Sequence, residues 1–275
     1  MLKHIALFLS FSLIVLFANA QRQAAPKAGA KQSEKLEKRN KINAMIRNEE
    51  EGIPAFAKHA NFSFKSNHDG YGILFEKGKM KTPYKSSIFQ IEFGEKHHPK
   101  EEKQSSSEFT NSGFAIFGRP FVFGKQNIFY QLKLGAGQQI LIGGKGNKNG
   151  VAVYAIAVAG FSAGLSRPYY MEFSSPGGSE KIKFTEAKRS TFLRADRIIG
   201  GTGLQMGWNE MKFSPGAYAK AALRFDWARF NQVVSAIEVG FGIDYYSKKI
   251  VQMVDNPGKS FFPTGSIGLV FGNRK

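Results

Sequence analysis

Between Ser235 and Tyr246 the chain alternates with period two. Ile237, Val239, Phe241, Ile243 and Tyr245 fall on one parity, and Glu238, Gly240, Gly242 and Asp244 on the other. A strand turns successive side chains to opposite faces, so this stretch predicts a strand with one apolar face and one polar face. Seven further segments are read as strands. They are Tyr71–Lys79, Ile88–Gly94, Asn127–Gln139, Val151–Leu165, Tyr169–Phe173, Ala217–Trp227 and Phe261–Gly272. The Val151–Leu165 segment is aliphatic on both faces, and its glycines and valines favour a strand over a buried helix.

A soluble sandwich or a lipocalin-like barrel also has alternating strands. Charge decides between the solvents. In most of these segments the apolar parity carries no charge, whereas glycine and charge share the other parity. That is the pattern of a wall whose outside meets lipid and whose inside needs small residues and paired ions. The expected fold is therefore all-β, an antiparallel transmembrane β-barrel of about eight strands with a basic N-terminal arm. Aromatic residues at the segment ends, Tyr71, Tyr130, Tyr169, Trp227, Tyr245, Phe261 and Phe271, stand where interfacial girdles are expected. The inward candidates are Glu92, Lys133, Glu172, Lys220, Arg224, Asp226, Glu238 and Asp244. An eight-strand barrel is just wide enough for side chains to fill, so these charges are expected to pair and plug it.

Residues 1–20 change the picture of location. Lys3 is followed by an apolar run from Ile5 to Phe17 and by Ala18-Asn19-Ala20, the pattern of a secretory signal peptide. The run is too short for a stable spanning helix. Cysteine is absent, so no disulfide or thiolate metal site is available. The formal net charge is +18, from 39 basic and 21 acidic residues. Export removes nucleic acid as the partner for this charge and leaves outer-membrane lipid and acidic faces of envelope proteins.

Domain organisation is expected to be a signal peptide at 1–20, a basic flexible or helical periplasmic arm at 21–60, and the barrel at 61–275. From Arg22 to Arg47 the arm carries eight basic and two acidic residues, with Glu34–Lys38 and Glu37–Lys41 in the i,i+4 order that supports a helix. With Tyr71 opening the first strand, the long segment 95–126 falls on the same inner side as the arm. The partner-binding candidates are accordingly Lys35, Lys38, Arg39, Lys41, His97, His98 and Lys100. If Ala60–Phe64 forms a further strand, or 113–123 its own hairpin, the segment 95–126 changes face.

Candidate chemistry is thin. His97 and His98 are adjacent, and neighbours on an extended chain point apart, so a closed metal shell needs ligands from elsewhere; no metal is assigned. The glycine-rich run 141–150 lacks the phosphate-loop order and precedes a strand, not a helix. No histidine falls within a predicted strand, which leaves a serine nucleophile without its usual base. No cofactor is implied. The expected function is non-enzymatic: a membrane anchor or subunit of an envelope protein complex, in protein export or outer-membrane assembly, acting through periplasmic elements. A small solute or lipid transport barrel is the alternative, and a lipid-modifying enzyme a more distant one.

The segments Ile88–Lys103, Phe123–Gly137, Phe161–Phe173, Phe213–Ala228 and Phe261–Lys275 together resemble the small outer-membrane barrel proteins of Bacteroidetes-type bacteria. The resemblance covers roughly residues 61–275. It implies an envelope location and a barrel fold, with some such proteins belonging to export or barrel-assembly machinery, and it carries no catalytic residues to transfer. Gly272-Asn273-Arg274-Lys275 follow Phe271, a departure from many bacterial barrels, in which the aromatic residue is terminal.

Overall fold

The computed structural model describes residues 35–39, 42, 56–109, 115–147, 149–230 and 232–275. The chain divides into two compact units, Met1–Glu51 and Gly52–Lys275. In the first, residues 35–39 and 42 are helical, and Lys35, Lys38 and Arg39 are exposed there. The expected signal peptide at 1–20, most of the expected arm and Lys41 lie outside the described residues.

The second unit opens with β1 (Lys58–Asn67), β2 (Gly70–Thr82) and β3 (Lys85–Lys96). A long connection follows with four short strands, β4 (Lys103–Gln104), β5 (Ser107–Phe109), β6 (Ala115–Phe117) and β7 (Phe121–Val122). Then come β8 (Asn127–Gly143) and β9 (Ala152–Pro168), a second long connection with β10 (Tyr170–Ser175), β11 (Gly178–Lys183) and β12 (Ile198–Gly201), and finally β13 (Lys212–Asp226), β14 (Val233–Ile250) and β15 (Lys259–Arg274). Eight of these close an antiparallel ring in the order β1-β15-β14-β13-β9-β8-β3-β2. Closure leaves no open edge, which a strand wall in hydrocarbon requires.

The register also fixes the stagger. From Asn67 the pairing runs through Ser266, Gly240, Ala222, Ile156, Gln139, Ser86 and Met80, and it returns beside Ala57, ten residues back along β1. A stagger of that size tilts the strands strongly to the barrel axis.

The wall faces lipid. Phe62, Phe75, Ile91, Leu134, Leu223, Val239 and Leu269 all point outward and are exposed, and Phe161 is 80% exposed. Such a continuous apolar belt is far larger than the patches of a soluble monomer. A closed eight-strand ring with an apolar outside and a charged inside is an outer-membrane β-barrel. Val239 lies midway along β14, so Val239→Arg is expected to lower the unfolding free energy by about 2–4 kcal/mol. Urea titration of the protein in bilayers would show it, and a loss under 1 kcal/mol would place this face away from hydrocarbon.

Two strand assignments change. The wall includes Lys58–Asn67, within which Ala60, Phe62 and Phe64 point outward while His59, Asn61, Ser63 and Lys65 are buried inside. The segment Tyr169–Phe173 leaves the wall: β10 pairs with β11 and β12 in a separate sheet. One strand is gained before Tyr71 and one lost after β9, so the number stays at eight; the connections between those two points change face, and those at 169–211, 227–232 and 251–258 keep the side the sequence predicts.

Both described ends of the barrel, Ala57 and Lys275, therefore meet at one end, where Ala57 N–H and Lys58 N–H donate to the Lys275 carbonyl at 2.7 and 2.8 Å. The short connections 83–84, 144–151 and 227–232 share that end. The connections 97–126, 169–211 and 251–258 lie at the other end. His97, His98 and Lys100 are thus at the barrel end opposite Lys58, where β1 begins. Outer-membrane barrels keep short turns on the periplasmic side and longer loops outside. That rule places 97–126 outside, which corrects the expectation of a periplasmic segment beside the arm.

Candidate functional site

The lumen is built by the inward parity of all eight strands. At its centre stands Arg224 of β13, fully buried. Its guanidinium donates to both carboxylate oxygens of Glu76 at 2.7 and 2.9 Å, and to Glu238 from Nε at 3.1 Å and Nη2 at 2.7 Å. Glu76 also receives the side-chain amides of Asn61 at 2.7 Å and Gln90 at 2.6 Å. Lys220 donates to Glu238 at 3.0 Å. The forked guanidinium meets both oxygens of Glu76 with two N–H groups held in one plane, a match that the point-like ammonium of a lysine cannot make.

Toward the loop end, Lys65 donates to Glu92 at 2.7 Å, and Lys133 sits 2.8 Å from Asp244 and 3.6 Å from Glu92. Lys96 reaches Asp69, Thr264 and Asp244. Toward the turn end, Arg274 pairs with Asp226 and lies over the rings of Phe56 and Tyr154. Every one of these buried lumenal cations has a carboxylate within 4 Å.

The sequence-derived inward residues Glu92, Lys133, Lys220, Arg224, Asp226, Glu238 and Asp244 are all brought together here. Glu172 is not. It belongs to β10, outside the ring, where it accepts from the Ser179 hydroxyl at 2.5 Å. The network also contains Glu76, Lys65, Lys96, Asn61, Gln90 and Arg274, which the sequence reading does not single out. Glu76 shares the parity of buried Leu74, a readable signal; Lys65 and Asn61 sit on the unrecognised strand.

Little space remains. A cavity of about 10 Å³ is lined by Lys65, Glu92, Lys133, Tyr218, Lys220 and Asp244, among others, room for about one water. On the loop side Phe129, Tyr246 and Phe262 pack ring to ring at 5.2 to 5.8 Å. Glycine makes the room: a Cβ on Gly164 would lie 2.9 Å from both the Phe129 and Tyr246 rings. The Tyr246 hydroxyl is bonded to Ser162 at 2.7 Å. The lumen is a plug of ions and aromatics.

The other built feature is the loop end. Phe121, Ile128, Tyr130, Tyr169, Met171, Phe173, Ile182, Phe192 and Ile198 form one buried apolar cluster. It joins the rim of β8 to the strands β7, β10, β11 and β12 and to the helical turn Arg189–Phe192. The alternation of Tyr169, Met171 and Phe173 is real, and its dry face meets this core instead of lipid. Arg167 lies over the Trp208 ring at 4.6 Å and donates to the Met206 carbonyl at 3.2 Å, fixing residues 203–208 against the rim. On the cap surface, Glu210 accepts from Lys183 and from the Tyr170 hydroxyl, and these bonds hold its carboxyl below the usual range.

At the cap's edge, Lys125 and Glu101 pair at 2.5 Å. His97 lies 3.1 Å from Glu95, whereas His98 Nδ1 accepts the Lys100 N–H at 3.2 Å, so the two rings serve different partners. Lys100 itself donates to Asn256 at 3.0 Å. Partial burial, then the charge of Lys259, lowers the His98 pKa. We expect His98 to titrate below 6.5 in an NMR pH series; a midpoint above 6.5 would mean that Glu101 dominates instead. Because the folded pKa lies below the unfolded one, this ring's effect on stability is absent well above pH 6.5 and becomes a loss as pH falls through that value.

No family model matches the chain, and no curated protein matches it. Solved structures to which it is similar include Neisserial surface protein A, at a TM-score of 0.38 and 9% identity over 80% of this chain and 97% of that one. The attachment invasion locus protein Ail of Yersinia pestis, in complex with the heparin analogue sucrose octasulfate, has a TM-score of 0.35 and 12% identity over 80% of this chain and 100% of that one. The N-terminal β-barrel domain of Pseudomonas aeruginosa OprF has a TM-score of 0.32 and 9% identity over 78% and 96%. At these scores the likeness adds no argument, and the reading of the barrel stands on its own closed ladder and apolar belt.

Proposed function

We infer that this protein is a non-enzymatic outer-membrane anchor, whose filled barrel holds a folded loop cap at the surface as the docking face for another protein of the envelope. The observation that carries the reading is the cap's own hydrophobic core, with Met171, Phe173 and Phe192 almost wholly buried. Loops that merely join strands have no need of a core, because their backbone is satisfied by water. A core that orders long connections into a fixed surface is what recognition requires.

The plugged lumen supports anchoring over transport. Passage of an ion or solute needs a continuous path, and moving Arg224 aside would break bonds to two buried carboxylates. The histidines nearest the cap support the non-enzymatic reading: His68 accepts the Gly265 N–H at 3.2 Å, and His97 and His98 are engaged as described.

The test replaces residues 171–201 by a glycine-serine linker in the full chain. The expected result is a barrel that still folds, by its heat-dependent gel mobility, and that loses the proteins cross-linked to the intact protein in native membranes. An unchanged cross-linking pattern would remove the docking role. Sustained conductance of the intact protein in planar bilayers would overturn the plug and favour transport.

A further inference from the structure

The barrel's outer wall is uneven at the end that carries the short turns. On β8, β9, β13, β14 and β15 the outward residues there are uncharged, among them Ile140, Val153, Phe225, Ile237 and Phe271. On β1, β2 and β3 five of them are lysines, Lys58, Lys77, Lys79, Lys81 and Lys85, beside the small Ala60 and Ser87. No ion pair joins any of the five to an acid among the described residues. Lys58 and Lys79 are direct cross-strand partners on the same outward face. Like charges set opposite each other destabilise a sheet, so this pair costs the free barrel stability that nothing on the wall returns.

The same sector is concave. A depression of about 720 Å³ is lined by Lys58, Lys77, Lys79 and Lys275 at its rim, with Ala60 and Phe89 among its other lining residues. Small Ala60 lies between Lys77 and Asn273 in the register, which leaves the depression open on the outside of the wall. The Lys77 ammonium lies 5.6 Å from the centre of the Phe75 ring, where the apolar belt of Phe62, Phe75 and Ile91 begins. A ligand for this place must present an anion at the interface and a hydrocarbon tail alongside the belt.

We propose that the outward face of β1–β3 is a binding site for an anionic glycerophospholipid of the leaflet that meets the short turns. Its phosphate lies among Lys58, Lys77 and Lys79, and its acyl chain runs down over Phe89 and Phe75. The lysines account for the choice of an anionic head over a zwitterionic one, and the phosphate relieves the Lys58–Lys79 repulsion. Each lysine near an anionic lipid surface contributes roughly a fivefold preference. The site requires the barrel to lie in a membrane and is independent of what the cap binds.

The test uses the full-length protein, reconstituted with equal amounts of phosphatidylglycerol and phosphatidylcholine, released into mild detergent and examined by native mass spectrometry. The expected result is retained phosphatidylglycerol on the native protein, and at least a tenfold loss of that adduct in K58Q/K77Q/K79Q. The variant K58R/K77R/K79R keeps it. So does K212Q/K248Q/K249Q, whose lysines lie at the loop end. Retention by the glutamine triple variant, with the basic segment 21–52 intact, would overturn the site, as would equal loss from the loop-end variant or loss from the arginine variant. Equal retention of phosphatidylcholine by the native protein would also overturn it. Heat-dependent gel mobility verifies that each variant is folded before it is scored.

Discussion

Arg224→Ala is expected to lower the unfolding free energy of the barrel by about 3–5 kcal/mol, the cost of breaking a buried ion cluster from one side. Arg224 ties together two acids on different strands, Glu76 on β2 and Glu238 on β14. Without it, Glu238 still has Lys220, whereas Glu76 keeps only the uncharged amides of Asn61 and Gln90 and the nearby His59 ring. A carboxylate held dry by neutral donors is the expensive part. The pair Arg224→Met with Glu76→Gln removes both charges together and is expected to recover most of the loss, since replacing both partners of a buried pair is often close to neutral. Urea unfolding from bilayers, read by gel mobility, gives both numbers. A single variant within 1 kcal/mol of the native protein would mean that water, and not Arg224, solvates Glu76, and the plug would have to be read as a wet channel. Because the cluster is dry, the loss is expected to change little between low and high salt.

How far the fold could be read beforehand follows from what each strand must satisfy. The stretches on β13 and β14 declared themselves because lipid on one side and ions on the other impose opposite chemistry on alternate residues. β9 showed no such contrast: its inward Tyr154, Ile156 and Val158 are apolar, and Ile156 and Val158 pack with Ile88, Tyr218 and Ala222 in a lumenal cluster. β1 was missed as a wall strand because its inward residues are modest, Asn61 and Ser63 among them, and only Ala60, Phe62 and Phe64 mark its outer face. The reverse error at Tyr169–Phe173 has the same root. A strand half-buried on a cap core and a strand half-buried in lipid show the same alternation, because period two reports that one face is dry and is silent on which solvent dries it. Those two exchanges left the strand number unchanged and turned over only the connections between them, so residue parity was legible throughout while the side of 97–126 was not. The ion network was legible where its members sat on recognised strands, and lost Lys65 and Lys96 where the strand or its last residues had not been assigned. The cap core was not legible at all, since it is assembled from Phe121, Tyr169, Phe192 and Ile198, which no local period links.

The cap and the wall are expected to respond differently to loss of packing. Phe173 is 1% exposed and packs against Phe192 at 6.1 Å, so Phe173→Ala removes a fully buried ring at a cost of about 3–5 kcal/mol. The three-stranded sheet β11-β10-β12 shares no ladder with the ring. Its opening can therefore proceed without breaking a wall hydrogen bond, as a sub-global unfolding event. Hydrogen exchange is expected to lose protection across 170–201 in Phe173→Ala, by two or more decades, while β13 and β14 stay as protected as in the native protein. Arg224→Ala is expected to do the opposite, weakening the wall as a whole. The apolar cluster gives a route by which the two are coupled, since it includes Ile128 and Tyr130 of β8; if β8 loses protection along with the cap, that rim is the hinge of a single cooperative unit. If it does not, the molecule is an anchor and a displayed surface with separate stabilities, and a partner that binds the cap stabilises the cap without having to act on the barrel.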